Sequence, residues 1–438
     1  MGKFKIGIIG FGTVGKGVFK ILTGQKDIHP ILREIEIANV VVKNLSKDRQ
    51  INIDKEILIN DPNRLINDPS IDVIVEVMGG TELAKDIIIK ALKAGKSVVT
   101  ANKAVMARYG EEIYKVARDN GVYILFEAAV CGGIPIIEPL KRSFKSNQIT
   151  KMIGIINGTT NFILSKMSIE KAEYKESLNL AQNLGYAELD PTADVEGQDA
   201  ADKISILTEI AFGGKIDRNK IDTEGINKID LKDIEYANKL GFEIKLIAVS
   251  ERTNTKNQEI SLPLNIWVGP TLISRNHPLS AIEGVNNAIL VEGEPVGEIM
   301  LYGPGAGSGP TASSVVSDVL NLKALAINKN ASQHKIIDPL LSFNFWRKCH
   351  VIESELIRKK VYLRIICRDT PGVIGKIGNI FGHNGVSIES IVQLDASENE
   401  AEIVVITHEV TKGNIEISKS QLNALSEVKF IASQLNCI

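Results

Sequence analysis

The stretch Phe4-Lys5-Ile6-Gly7-Ile8-Ile9-Gly10-Phe11-Gly12-Thr13-Val14-Gly15 decides the fold of the N-terminal part of the chain. Its first half is a short apolar run that reads as a buried strand, and a helical pattern opens at Thr13. Between them lies a Gly-x-Gly-x-x-Gly turn. In such a turn Gly10 permits the sharp bend, Gly12 lets backbone approach a pyrophosphate, and Gly15 lets the helix pack on the strand. The helix N-terminus then faces the phosphates. A glycine-rich turn with no ligand is the plainer reading, but strand, turn and helix in this order favour a dinucleotide. Gly10, Phe11, Gly12, Thr13, Val14 and Gly15 are the candidate cofactor contacts.

Outward from this turn, strands are predicted at 35–42, 72–78, 97–100 and 122–127, and helices at 13–22, 81–94 and 105–120. Strands this apolar, alternating with helices, imply an α/β fold with a doubly wound parallel sheet of the Rossmann type. An acid that binds a ribose 2′-hydroxyl belongs at the end of the second strand. That position reads Val42-Lys43-Asn44, followed by Lys47 and Arg49. A cation there suits a 2′-phosphate, which favours NADP over NAD; a solvated basic loop is the alternative. Thr100-Ala101-Asn102-Lys103 lies just past a strand's carboxyl end, the rim where such folds bind ligands. Lys103 is either a surface lysine or a ligand residue, and a cation at a helix start is misplaced unless something anionic meets it.

Beyond about residue 135 the pattern changes to longer polar helices (174–184, 199–212, 231–240) and runs at 243–249 and 259–264, a mixed α+β domain. The glycine-rich GPGAGSGP at 303–310 precedes a helix at 311–327 that is expected to return to the first domain. The tail has a β-α-β-β-α-β order: strand 361–367, helix 373–384, strands 386–394 and 400–407, helix 418–426 and strand 428–434. The organisation is thus a nucleotide-binding domain at 1–135 completed by 303–328, a catalytic domain at 136–302, a connector at 329–358 and a ferredoxin-like domain at 359–438.

The chain has 438 residues, 44% apolar and 24% charged, enough for about three globular domains. With 51 basic and 53 acidic side chains there is no electrostatic footprint for nucleic acid or a membrane surface. Cys131, Cys349, Cys367 and Cys437 form no CxxC pair, no apolar run approaches a membrane span, and the N-terminus lacks signal-peptide features. A reduced, cytoplasmic setting is expected.

On the helix from Asp199, the pair Asp199 and Lys203 lies in line with Ile206 and Ile210, on the apolar side. A solvated i,i+4 ion pair is the ordinary explanation for that spacing. A desolvated lysine, however, shifts its pKa readily and becomes a proton donor or acceptor. Upstream, Tyr186-Ala187-Glu188-Leu189-Asp190-Pro191-Thr192-Ala193-Asp194 places three carboxylates in a Pro-broken loop. Recognition of an ammonium group, a divalent metal site and helix capping all remain open readings.

These motifs, with EAAVCGGIPI from Glu127, GIINGTTNFIL from Gly154 and the YGPGAG turn from Tyr302, resemble homoserine dehydrogenases that carry a C-terminal ACT domain. The resemblance runs nearly end to end, and the segment from Gly185 to Lys203 is its most specific part. It implies reversible NAD(P)H-dependent reduction of L-aspartate 4-semialdehyde to L-homoserine, on the route to threonine, methionine and isoleucine. Lys203 matches the proton donor and acceptor, with Asp199 beside it, and Lys103 a lysine near nicotinamide and substrate. Glu188 falls on the residue that holds the substrate ammonium, with Gly185, Tyr186 and Asp194 as neighbours; Asn157, Gly158 and Thr159 fall on a loop near the substrate carboxylate. Thr100 and Gly303 match cofactor contacts. Lys43 stands where related sequences often carry arginine, so the cation survives but a bidentate phosphate contact does not.

Glu127, Val130, Gly132 and Ile134 match the ligand positions of a monovalent-cation loop, for Na+ or K+. The tail resembles an ACT module, with Asp369, Gly372 and Val373 in its signature turn and Asn384 following. Such modules pair and bind amino acids, which implies feedback by L-threonine and a homodimer or homotetramer; a purely structural dimerisation role is the alternative. Two rival functions stay open: an oxidoreductase on another amino-acid aldehyde or amine, and a non-catalytic amino-acid sensor that binds nucleotide without turnover.

Overall fold

The computed structural model describes residues 3–24, 29–253, 261–329, 337–397 and 400–438. They form two compact units, Met1–Ile149 with Asp202–Ile216 and Glu292–Lys348, and Thr150–Ala201 with Asp217–Val291 and Cys349–Ile438. None of their helices is long and apolar enough to cross a membrane.

The first unit is built on β1 (Phe4–Ile9), β2 (Ile35–Val41), β3 (Leu58–Ile59), β4 (Val73–Glu76), β5 (Ser97–Thr100) and β6 (Ile124–Leu125). All are parallel, in the order β3-β2-β1-β4-β5-β6, the doubly wound topology predicted. Every residue of β4 is buried, as a strand covered on both faces requires. Ile6, Ile8, Val40, Val75 and Val99 pack with Ala312, Val315 and Val319 of the helix Ser308–Lys329. That helix approaches Thr13–Gly24 so closely that a side chain at Gly17 would lie 2.7 Å from the Ala312 Cβ. The strand predicted at 122–127 shrinks to two residues, because Glu127–Ala129 turns into a 3-10 helix.

The remaining strands are β7 (Gln148–Ile155), β8 (Asp222–Thr223), β9 (Phe242–Arg252), β10 (Leu262–Ser274), β11 (Asn286–Glu294), β12 (Gly297–Pro304), β13 (Cys349–Val351), β14 (Arg358–Cys367), β15 (Ile388–Ser397), β16 (Glu400–Thr407), β17 (Val410–Thr411) and β18 (Val428–Cys437). From β11 onward the sheet order is β11-β7-β9-β10-β18-β14-β16-β15. The last four of these, with helices Val373–His383 and Lys412–Asn423, form the predicted β-α-β-β-α-β module. A short parallel pairing, Thr271 with Asn436 and Leu272 with Cys437, joins this module's sheet to β10. Of the run predicted at 259–264, residues 259 and 260 lie outside the described residues, and β10 starts at Leu262. The last helix starts six residues earlier than predicted, at Lys412 rather than 418, because the Thr411 hydroxyl accepts the Asn414 amide (3.4 Å) as its N-cap.

One buried charge stands out in the tail module. Arg364 of β14 pairs with Asp233 (2.8 Å) and Asp230 (2.6 Å), at the start of the helix Leu231–Lys239. Asp233 also accepts the Ser433 hydroxyl, and Glu402 receives the Tyr236 hydroxyl (2.9 Å) and Lys232 (2.5 Å). An arginine this enclosed requires such partners, since an unpaired buried charge costs several kcal/mol.

Candidate active site

At the end of β1, Gly10 has φ +103°, and a Cβ there would sit 2.6 Å from the Val77 carbonyl oxygen. A Cβ on Gly15 would fall 2.2 Å from the Gly10 carbonyl oxygen. Gly12 differs: nothing lies within 4 Å of the position its side chain would take. Two glycines are thus forced by packing, and the third keeps backbone approachable from outside, the cradle a pyrophosphate needs. Phe11 turns its ring inward against Phe19, centroids 5.7 Å apart, and Val14 packs against the same core. Thr13 is exposed at the start of the helix.

The basic loop after β2 divides its cations. Arg49 is buried and donates to the carbonyls of Lys47 (2.6 Å) and Asn44, so it holds the loop together. Lys43 is exposed and makes no hydrogen bond or ion pair among the described residues.

On the same rim Glu76, at the end of β4 and fully buried, accepts the Thr100 hydroxyl (2.6 Å) and the Met78 amide (2.9 Å). Burial pushes its carboxyl up, against the pull of those hydrogen bonds. The Thr100 oxygen in turn accepts the Asn102 amide (3.0 Å). Asn102 caps the helix Lys103–Asp119 through Val105 and donates to the Gly80 carbonyl (2.7 Å). Lys103 is thereby set, half-buried, at the first helical position. Sequence reasoning passed over Glu76; the signal was a single acid ending the apolar run Val73-Ile74-Val75-Glu76.

Glu127 accepts three backbone amides, from Ile136 (2.6 Å), Ile137 (2.7 Å) and Glu138 (2.6 Å), and its own amide donates to Asp318 (2.8 Å). Burial pushes both carboxyls up. The loop turns through Cys131 and Gly132, both at positive φ. The Gly132 carbonyl accepts the Ser314 hydroxyl (2.6 Å), and Gly133 donates to Pro304 (3.1 Å), next to Gly303. The set Glu127, Val130, Gly132 and Ile134 offers oxygen only, as a hard monovalent cation demands. Among the described residues no group of three His, Cys, Asp or Glu side chains is arranged for a metal ion.

In the second unit Asn157 joins the acids. Its Nδ2 donates to Asp194 (2.7 Å) and Asp199 (2.8 Å), while its Oδ1 accepts the Thr160 amide (2.8 Å) and caps the helix Gly158–Glu170. The cap bond fixes which end of the amide faces the carboxylates. Thr159 donates to the Tyr186 carbonyl (2.7 Å), and the Tyr186 ring packs edgewise on Phe162 at 5.0 Å. Gly158 has no room for a side chain, since a Cβ would lie 2.6 Å from the Val285 carbonyl oxygen. Gly185 turns the chain at φ +76° after the helix Tyr174–Asn183.

Of the three loop carboxylates, Asp190 closes a local turn, accepting the Thr192 amide (3.1 Å) and hydroxyl (2.6 Å), which hold its carboxyl below the usual range. Glu188 is exposed, and its carboxylate makes no hydrogen bond or ion pair among the described residues. Asp199 is buried, and Lys203 stands one turn further along the same helix, Gln198–Phe212.

In the tail module Asp369 and Gly372 are exposed in the turn before the helix Val373–His383, with Gly372 at φ +91°. Val373 points into that module's core. Asn384 donates to the Ile380 carbonyl (2.9 Å) and to Gln421 (2.9 Å), tying the two helices together.

The profile of the homoserine dehydrogenase family matches residues 135–320, that of the homoserine dehydrogenase NAD-binding domain residues 10–127, and that of the ACT domain residues 361–427. A homoserine dehydrogenase from Synechocystis is 47% identical, over 99% of both chains. A crystal structure of the enzyme from Thiobacillus denitrificans superposes with a TM-score of 0.90 at 36% identity, covering 100% of this chain and 98% of that one. A hyperthermophilic archaeal homoserine dehydrogenase in complex with NADPH gives a TM-score of 0.60 at 28% identity, over 74% of this chain and 98% of its own. Glycines, capped rim and acid cluster thus sit in a chain that, by descent as well as by geometry, belongs to the homoserine dehydrogenase family of nucleotide-dependent oxidoreductases.

Proposed function

We propose that the chain reduces L-aspartate 4-semialdehyde to L-homoserine, reversibly and with NADPH preferred, and that Lys203 handles the proton. The observation that carries the reading is the Asn157 amide, which binds Asp194 and Asp199 at once and so holds an acidic site in one geometry, a turn of helix from Lys203. Bound nicotinamide supplies the hydride, or accepts it in the oxidative direction. Lys203 gives its proton to the aldehyde oxygen as that oxygen gains charge, which keeps an alkoxide from accumulating. Asp199 favours the charged lysine and orients it. Glu188, with its carboxylate toward water, receives the substrate ammonium, and Asp194 and Tyr186 shape the same end. Asn157, Gly158 and Thr159 line the carboxylate end, and Lys103 serves nicotinamide and substrate together.

The NADPH preference rests on the division of labour after β2, where Arg49 is used up in the loop and Lys43 is available to a 2′-phosphate. A monovalent cation would be held by Glu127 and the loop through Val130, Gly132 and Ile134, and would stiffen that loop by charge rather than take part in proton transfer. L-threonine is the proposed effector of the ACT module, at Asp369, Gly372, Val373 and Asn384, and the working assembly is a homodimer or homotetramer in the cytoplasm. The test is NADPH oxidation by purified protein with L-aspartate 4-semialdehyde, with and without L-threonine, repeated with NADH. Turnover that threonine suppresses supports site and effector together. Turnover indifferent to threonine removes the effector, a lower kcat/KM for NADPH than for NADH removes the Lys43 argument, and no turnover with either removes the reaction.

A further inference from the structure

In the first unit a cavity of about 630 Å³ opens between the helices Lys103–Asp119 and Ile137–Lys141 and the segment after residue 336. Arg118, Lys141 and Lys145 supply its charge, and Leu340, Phe343 and Trp346 much of its apolar wall. Among the described residues none that lines it is acidic.

The three cations are short of partners. Among the described residues none makes an ion pair within 4 Å. Among the described residues the Arg118 side chain donates only to the Phe343 carbonyl (3.4 Å), and that of Lys145 only to the Ile210 carbonyl (3.4 Å), with its ammonium 3.8 Å from the Trp346 ring centre. Lys141 is 2% exposed and makes no side-chain hydrogen bond among the described residues; its ammonium lies 4.4 Å from the Phe126 ring centre, and Asp318, Glu127 and Glu138 act on it only from beyond ion-pair range. Burial, reinforced by the charges of Lys141 and Arg347, holds Lys145 down to about 8. Like charges converging on one recess repel one another. Ring faces relieve part of that cost. A bound anion would relieve the rest.

We propose that this cavity binds a small organic anion, a carboxylate carried on an apolar body, with the carboxylate among Arg118, Lys141 and Lys145 and the body on Phe343, Leu340 and Trp346. The volume falls in the range of small-molecule sites, and the apolar wall favours such an acid over inorganic phosphate. None of these residues has a part in the nucleotide, substrate, cation or effector readings above, so the site is additional to them and does not depend on the proposed reaction.

The chain has two tryptophans, and the other, Trp267, is buried in the second unit, so a Trp267→Phe background leaves Trp346 as the reporter. In that background the full-length protein is titrated with 3-phenylpropionate and, separately, with the neutral 3-phenylpropionamide. The acid is expected to change Trp346 emission saturably, and the amide to bind at least about tenfold more weakly, as befits charge-assisted contacts. Arg118→Met with Lys145→Met is expected to weaken the acid by a similar factor, while unchanged thermal unfolding shows that the variant is folded. Should it fail to fold, Lys145→Gln alone, with a smaller loss, replaces it. Equal binding of acid and amide, no saturable change, or an affinity indifferent to these substitutions would overturn the proposal. Saturable binding of inorganic phosphate or a hexaglutamate peptide in preference to the acid would overturn the choice of ligand.

Discussion

Two acidic clusters in the second unit use the same kinds of side chain and treat them in opposite ways. Around β14, Asp230, Asp233 and Glu402 converge on Arg364, and Lys232 adds a second cation at Glu402. In the segment from Gly185 to Asp199, the neutral amide of Asn157 orients Asp194 and Asp199, and Glu188 is left facing water. An acid that the protein neutralises itself is part of the scaffold. Glu188, exposed and with no hydrogen bond or ion pair to its carboxylate among the described residues, keeps its charge available to a ligand.

The contrast can be broken by substitution, and the largest effect is expected at Lys203. Lys203→Ala should lower kcat by about 10²- to 10⁴-fold while KM moves little, because proton transfer matters most in the transition state. Steady-state kinetics with L-homoserine check this, and a normal kcat with a raised KM would take the proton role away. The scaffold cluster should respond in stability instead. Asp233→Ala removes the fully buried partner of Arg364, leaving Asp230 and Glu402, and is expected to cost about 3 kcal/mol in denaturant unfolding. The double variant Asp233→Leu with Arg364→Met should recover part of that loss, since an apolar pair then replaces the buried ionic one.

Glu188→Gln sharpens the comparison from the other side. It should raise the homoserine KM about 10- to 100-fold, the value of roughly 1.5–3 kcal/mol for a hydrogen bond to a charged group, and leave unfolding within about 0.5 kcal/mol of the parent. An unchanged KM would remove Glu188 from the ammonium site.

The smallest effect is a pH dependence. Burial raises the Glu402 carboxyl, but Lys232, Tyr236 and Arg364 outweigh it and the net shift is downward. A carboxylate held low in the folded state stabilises above its unfolded value of about 4.3, and that contribution disappears as pH falls through the lower folded value. Melting temperature should therefore decline from about pH 5 downward, and Glu402→Gln should decline less steeply over the same range.

Much of the architecture was legible because it rests on local patterns. The turn from Gly10 to Gly15 carries its own steric logic, and the alternating apolar runs around it fixed a parallel sheet before any strand order was known. The ACT order was readable for the same reason, although the second helix was expected to start at 418, past its N-cap Thr411. The three readings of the loop from Tyr186 to Asp194 could not be separated by sequence, since Asp190 and Glu188 are the same kind of residue in the same kind of loop. The structure distinguishes Asp190, which accepts the Thr192 hydroxyl, from exposed Glu188.

Side-chain identity and spacing alone determined the nucleotide turn, the β-α-β-β-α-β tail and the placing of Asp199 one turn from Lys203 on one helix. Only the tertiary structure decided which charges are used up. Arg364 was a lone cation in the apolar run Val361-Tyr362-Leu363-Arg364-Ile365-Ile366, and Asp233, which pairs with it, stands 131 residues earlier in the chain. Asn157 reaches Asp199 across 42 residues. Periodicity is set by neighbours a few bonds away and survives in the sequence, whereas neutralisation depends on groups brought together only when the chain has folded.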